Sequence, residues 1–115
     1  MSYTADTGAF VSKATGKQAI ADYVGSQAYT EMQDVKAHYF GKNKILDLFN
    51  QTGCIGVRIW YGFTYDAQNT PLPQLYLVGV DANGNDILPG GGNDLVLDAS
   101  MPCPRYCPTG SSLEV

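Results

Sequence analysis

The sequence predicts a small α+β domain: two short helices packed on an antiparallel β-meander of three or four strands, with an irregular tail rich in cysteine and proline. The first observation is that bulky apolar residues recur at every second position over residues 54–65, as in a half-buried strand. The second is a similar apolar run over residues 74–81, separated from the first by turn-forming residues. The third is a pair of helix-like segments that end at Gly25 and Gly53, since glycine is typical of helix C-termini.

The chain of 115 residues divides into three parts. Residues 1–9 are small and polar and are expected to form a loose N-terminal arm. Residues 10–99 form a single α+β domain, long enough to bury a core without a metal or a disulfide. Residues 100–115 form the tail, whose prolines exclude a regular helix or an internal strand.

Two helices are predicted before the meander. Residues 15–18 read Thr-Gly-Lys-Gln, a capping box that predicts a helix over residues 16–24. The second helix is predicted over residues 43–51, with an asparagine as its N-cap. Between them, residues 27–34 are ambiguous, and residues 35–40 fit either a strand or a helix.

The meander contains predicted strands at residues 54–65, 74–81 and 85–88, and residues 95–97 are a candidate fourth strand. The dipeptide Asn83-Gly84 predicts a type I′ hairpin turn, because both residues tolerate the positive φ that this turn requires.

The charge distribution argues against nucleic acid and membrane partners. Charged residues make up 16% of the chain, and 7 basic against 11 acidic residues give a net charge of −4. Nucleic-acid binding depends on clustered lysine and arginine, so none is expected. No apolar run reaches the length of a membrane span, and the N-terminus lacks the pattern of a secretory signal. The expected location is the cytoplasm, with assembly outside the cell left open.

The three cysteines, Cys54, Cys103 and Cys107, are the candidate thiol or disulfide residues. A disulfide could lie within the tail or join the tail to Cys54, depending on the redox compartment. Together with His38 these residues are nominally a zinc set, but they do not form the two close-spaced ligand pairs of a zinc site. No metal site is predicted.

No catalytic residue and no cofactor are predicted, and the chain is expected not to be an enzyme. A cysteine nucleophile would have to rely on His38, the one histidine, with no third group to orient it. Residues 81–86 alternate oxygen-bearing side chains as calcium loops do, but their glycine falls at the wrong position and a hairpin turn explains them.

The leading functional hypothesis is self-association. Both faces of the meander carry apolar bulk and few charges, which is typical of self-associating surfaces. The candidate interface residues are Phe10, Trp60, Tyr76, Val78 and Val80. Three alternatives stay open: the chain's own arm and tail cover the sheet, the cysteines serve a redox or metal-responsive function, or Trp60 and nearby tyrosines bind a ligand.

Four stretches carry a resemblance to other proteins. They are residues 39–42 (Tyr-Phe-Gly-Lys), residues 50–59, residues 77–86 and the Cys-Pro-rich tail. Together they resemble a group of small, uncharacterised bacterial proteins over most of residues 15–108. The resemblance implies no activity, ligand or catalytic residue. It does imply that the tail cysteines belong to the protein's design.

Overall fold

The computed structural model describes residues 2–31, 33–104, 106–110 and 113. In chain order the elements are α1 (Lys13–Val24), α2 (Gln27–Glu31), β1 (Ala37–Tyr39), α3 (Lys42–Phe49), β2 (Gly56–Tyr65), β3 (Pro71–Val80), β4 (Val96–Leu97) and β5 (Met101–Cys103). Within the described residues they form one three-stranded and one two-stranded antiparallel sheet. The prediction of an α+β domain is confirmed.

The long hairpin of β2 and β3 is the centre of the molecule. Its register pairs Gly56 with Val80 at one end and Tyr65 with Pro71 at the other. Strand β4 pairs with the opposite edge of β3. The strand order is therefore β2-β3-β4, and β2 forms an outer edge of the sheet.

The third strand lies later in the chain than predicted. Residues 85–88 contribute only an isolated bridge between Asp86 and Val80. Pro89 follows directly and has no N–H to continue the ladder, and the next three glycines all have positive φ. The chain therefore turns away and returns as β4, within the candidate strand at residues 95–97.

The two loops of the meander share one turn. In residues 66–70 and again in residues 81–85, the first-position aspartate accepts the N–H of the third and fifth residues on Oδ1 and that of the fourth on its carbonyl. Only the fourth residue of each turn has positive φ, Asn69 at 64° and Gly84 at 82°. The predicted type I′ turn at Asn83-Gly84 is therefore wrong, because the Asp81 carboxylate favours an Asx turn instead.

The helices differ from the prediction at their starts. Helix α1 begins three residues early because Ser12, not Thr15, is its N-cap, and Ser12 Oγ accepts the Thr15 N–H at 3.1 Å. Gly25 caps its C-terminus as expected. Helix α2 occupies the segment that was ambiguous in sequence. Helix α3 begins at Lys42 with Gly41 as its N-cap, so the predicted N-cap Asn43 lies inside the helix. It ends at Phe49 with Asn50 as its C-cap, before the predicted stop at Gly53.

The buried core is small. Among the described residues its hydrophobic members are Leu48, Leu77, Val78, Val80 and Cys103. Leu48 comes from α3, which packs on the sheet where Gly79 leaves room for it. A Cβ atom at Gly79 would lie 3.3 Å from the Leu48 carbonyl oxygen and 2.6 Å from Gln51 Nε2. The missing side chain is thus what allows α3 to approach.

Both chain ends are attached to the rest of the fold. Strand β5, within the predicted tail, pairs with β1. Residues 37–39, which fitted either a strand or a helix by sequence, therefore form a strand. A Cys103–Cys107 disulfide closes a short loop after β5 and leaves Cys54 free, so the bridge lies within the tail. The arm is not simply loose, because the Tyr3 ring lies 5.7 Å from the Arg58 guanidinium carbon.

Candidate interaction surface

Strand β2 projects bulky side chains from both of its faces into solvent. The residues more than half exposed are Ile59, Trp60, Tyr61, Phe63 and Tyr65. Alternate residues of a strand share a face, so the four odd-numbered side chains lie together on one face of the sheet and Trp60 lies on the other. The half of β2 farthest from α3 thus exposes a row of apolar side chains on one face and the Trp60 indole on the other.

One charged residue interrupts this strand, and it is neutralised. Arg58 forms an ion pair with Asp86 and donates a 3.0 Å hydrogen bond to the Gly84 carbonyl. The other carboxylate oxygen of Asp86 accepts the Trp60 indole N–H at 3.0 Å. With Tyr3 over the guanidinium, these contacts fix the Arg58 side chain on its own sheet.

The five interface candidates fall into different environments. Phe10 is fully exposed and Trp60 is half exposed. Tyr76 is partly covered: its ring lies over Gly62 and its hydroxyl donates to the Phe63 carbonyl. Val78 and Val80 are 2% and 6% exposed, so in this chain they belong to the core and offer no free surface.

Other exposed residues of the hairpin did not appear among the sequence candidates. They are Ile59, Tyr61, Phe63, Tyr65 and Leu72. Their alternation along the strand was visible in the sequence. The predicted meander also places this strand at a sheet edge. What the sequence did not reveal is that half of the strand lies beyond the cover of α3.

The outer edge of β2 is also open along its backbone. Within the described part of the chain, β2 pairs with β3 alone, and no backbone hydrogen bond from the arm or another element reaches residues 57–65. The strand contains neither proline nor lysine. These are the residues with which proteins commonly block the edges of their sheets.

The whole molecule exposes more surface than its size requires. Its accessible surface is 8251 Å² for a chain of 12.4 kDa. A compact monomer of that mass exposes about 6,100 Å². The radius of gyration, 16.0 Å, likewise exceeds the value of about 13 Å expected for this chain length. The excess, about 2,000 Å² on one chain, is more than twice the roughly 800 Å² that each partner contributes to a standard protein–protein interface.

The thiol candidates are not assembled into one site. Cys103 is buried and Cys107 is half-buried, and both are held in their disulfide. Cys54 lies before β2, where its Sγ contacts the Gly56 carbonyl at 3.2 Å. In the described ranges no three His, Cys, Asp or Glu side chains lie close enough together to hold a metal ion.

A polar cluster that the sequence did not indicate links three segments. Gln74, which is buried, donates from Nε2 to Ser100 Oγ at 3.0 Å. Ser100 Oγ lies 2.7 Å from His38 Nδ1, and the hydroxyl donates this hydrogen bond when the neutral imidazole carries its proton on Nε2. Burial lowers the pKa of His38 and favours this neutral form. No carboxylate among the described residues orients the imidazole. We therefore interpret the contacts of His38, Ser100 and Gln74 as structural rather than catalytic.

A cleft of about 510 Å³ lies between α3 and β4. Apolar residues such as Leu48, Leu95 and Met101 line it together with the carboxylates of Asp47 and Asp98. The described residues that line it include no serine, cysteine or histidine.

No protein-family model matches the chain, and neither the curated proteins nor the solved structures include a significant match. In the described residues no helix is both long enough and apolar enough to cross a bilayer. Function is therefore inferred from the surface described above.

Proposed function

We propose that this protein is a non-enzymatic assembly module that self-associates, as the building block of a homo-oligomer or a filament. The observation that carries the proposal is the excess of exposed surface, about 2,000 Å², on a chain whose buried core is small. Burying apolar area is the dominant favourable term in protein association. A chain that cannot bury this area internally gains by burying it against a copy of itself.

The position of the excess supports the proposal. The exposed aromatic residues are concentrated on β2, and Phe10 with Val11 adds a second exposed apolar group just before α1. A single self-complementary surface gives a closed dimer, whereas two different surfaces that meet head to tail extend into a ring or filament. Both routes use the same protein as its own partner.

Light scattering coupled to size-exclusion chromatography tests the proposal. We expect a mass that is a multiple of 12.4 kDa and that rises with loading concentration. The experiment is run with and without reductant, because Cys54 is free and could cross-link copies by oxidation. Negative-stain electron microscopy of the same fractions then distinguishes a compact oligomer from a filament. A 12.4 kDa species at every concentration contradicts self-association.

A thiol-based function is the second candidate, and the Cys103–Cys107 disulfide favours it. The pair is separated by four positions, and Cys103 belongs to the two-stranded sheet, outside the three-stranded one. Such a site would exchange two electrons and two protons with an external dithiol. Equilibration in glutathione buffers tests this: a regulatory pair titrates within the cellular range, whereas a structural bridge stays closed throughout.

A further inference from the structure

We propose that two copies pair through the outer edges of their β2 strands, antiparallel and about a two-fold axis at Tyr61, so that two three-stranded sheets become one sheet of six strands. This arrangement rests on the proposed self-association and specifies its surface and register. It is argued from the direction of the backbone groups, from the side chains beside them and from the charge.

The hairpin turn establishes which backbone groups of β2 point outward. The Asp66 N–H donates to the Thr70 carbonyl, so residues 66 and 70 face each other with their hydrogen-bonding groups directed inward. In an antiparallel ladder such residues alternate with residues whose groups point away. Even-numbered residues of β2 therefore bond to β3, and odd-numbered residues direct their N–H and C=O outward.

Two further hydrogen bonds agree with this assignment of inward and outward backbone groups. The Ile87 N–H donates to the Gly79 carbonyl, which places the bonding groups of the odd-numbered β3 residues on the side away from β2. The Phe63 carbonyl accepts from the Tyr76 hydroxyl, as an outward carbonyl can. A carbonyl has a second lone pair, so Phe63 can also accept from another strand.

The outward residues form a symmetrical series. They are Val57, Ile59, Tyr61, Phe63 and Tyr65. If Tyr61 faces Tyr61 of a second copy, Ile59 faces Phe63 and Val57 faces Tyr65, and every outward residue of both copies is paired. Because each such pair exchanges two hydrogen bonds, the register gives about ten of them. A shift of two residues in either direction leaves outward groups unpaired.

The side chains suit the same register. On one face, Tyr61 meets Tyr61 and Ile59 meets Phe63, and aromatic and aliphatic cross-strand pairs of this kind stabilise sheets. On the other face Trp60 lies opposite Gly62, whose surface is covered by the Tyr76 ring, so the indole meets a second aromatic ring. Residues that are more than half exposed in the single chain would thereby lose contact with water.

The charges do not oppose the pairing. Arg58 lies opposite Thr64 in this register, so the two Arg58 residues are about 20 Å apart along the strands. Each guanidinium is in any case paired with Asp86 of its own chain. A peptide of another sequence could also add to this edge, but the self-complementary spacing of the outward residues favours a second copy.

Cysteine cross-linking tests the register. In Tyr61→Cys the two introduced thiols face each other with their Cα atoms about 5.5 Å apart, within disulfide range. In the matched control, Phe63→Cys, the two Cα atoms lie about 14 Å apart, which is too far. A mixture of Ile59→Cys and Phe63→Cys brings one thiol of each kind together. Cys54→Ser is included throughout to remove the native free thiol.

We expect mild oxidation to cross-link Tyr61→Cys and the mixed pair, and to leave Phe63→Cys uncross-linked. Amide exchange of the unsubstituted protein provides a second measurement: association should protect the amides of residues 59, 61 and 63, while the even-numbered neighbours are protected before and after. An oligomer by light scattering without the Tyr61→Cys cross-link overturns the β2 pairing and leaves self-association intact. A strict monomer overturns both.

Discussion

The imidazole of His38 is hydrogen-bonded to the Ser100 hydroxyl. The bond is made at Nδ1, and the same hydroxyl accepts from the buried Gln74. This contact joins β1, the segment before β5 and the middle of β3. In the neutral tautomer with its proton on Nε2, Nδ1 accepts this hydrogen bond, whereas a protonated Nδ1 would donate it to the Ser100 oxygen.

We expect the protein to lose thermal stability when the pH falls from about 7.5 to about 5.5. Burial lowers the pKa of folded His38 below the ordinary value of 6.5, so the unfolded chain binds the proton more readily. The stability from this residue is complete above pH 6.5 and is lost as the pH falls through 6.5 towards the folded pKa. His38 is the one histidine in the sequence, and histidine is the side chain whose ordinary pKa lies in this pH range.

Thermal unfolding at several pH values measures this effect, with His38→Asn as the control. An asparagine oxygen can accept from Ser100 but cannot titrate. The variant should show a flatter melting temperature between the two pH limits, whereas the unsubstituted protein drops by a few degrees. An identical slope in both proteins would assign the pH dependence to other groups.

Single residues also explain where sequence-based prediction failed. The hairpin at residues 81–85 was predicted, but its type was not, because Asp81 captures two amides that a type I′ turn would leave free. The cluster of His38, Ser100 and Gln74 could not be predicted, since His38 and Ser100 are 62 positions apart. Local patterns carry no information about such distant contacts.

At the scale of elements, the packing of α3 on the sheet depends on Gly79. We expect Gly79→Ala to destabilise the fold by about 1–3 kcal/mol, the usual cost of forcing extra volume into a packed contact. The added methyl group would meet the α3 backbone at Leu48, which cannot rotate away as a side chain can.

Gly56→Ala is the matched control, because Gly56 also lies in the hairpin and a methyl group added there would meet no atom within 4 Å. Its effect should stay within about 0.5 kcal/mol. Urea unfolding of both variants at one protein concentration gives the two free energies. Equal losses in the two variants would mean that Gly79 is not the contact that positions α3.

The elements themselves were predicted unevenly. The β2–β3 hairpin followed from the alternation of residues 54–65, a signal that local chemistry fully determines. Strand β4 has only two residues and exists because β3 offers it an edge, so its own sequence could indicate only a candidate. The early start of α1 depends on a choice between Ser12 and Thr15, both of which are good N-caps.

At the scale of the whole molecule, the class of fold was predictable and the cover of its sheet was not. The composition and the two apolar runs indicate an α+β domain whose sheet has apolar faces. Whether a residue such as Val78 or Tyr61 is buried depends on where α3 and β4 pack against the sheet. Val78 is buried and Tyr61 is 79% exposed, although both belong to the same hairpin.

If the exposed half of β2 is covered by a second copy, folding and association are linked. A partner that binds only the folded chain raises its apparent stability in proportion to the logarithm of concentration. We therefore expect the melting temperature to rise by about 3 °C for each tenfold increase in protein concentration. Differential scanning calorimetry over about a hundredfold range measures this.

The matched variants are Tyr61→Lys and Tyr106→Lys, which each replace an exposed aromatic residue with the same cation. Tyr61→Lys places two ammonium groups opposite each other at the proposed axis, so its melting temperature should no longer depend on concentration. Tyr106 lies outside β2, and its variant should keep the dependence of the unsubstituted protein. A melting temperature that stays constant over the whole range in the unsubstituted protein would mean that the exposed surface of β2 remains uncovered, and that the chain folds alone.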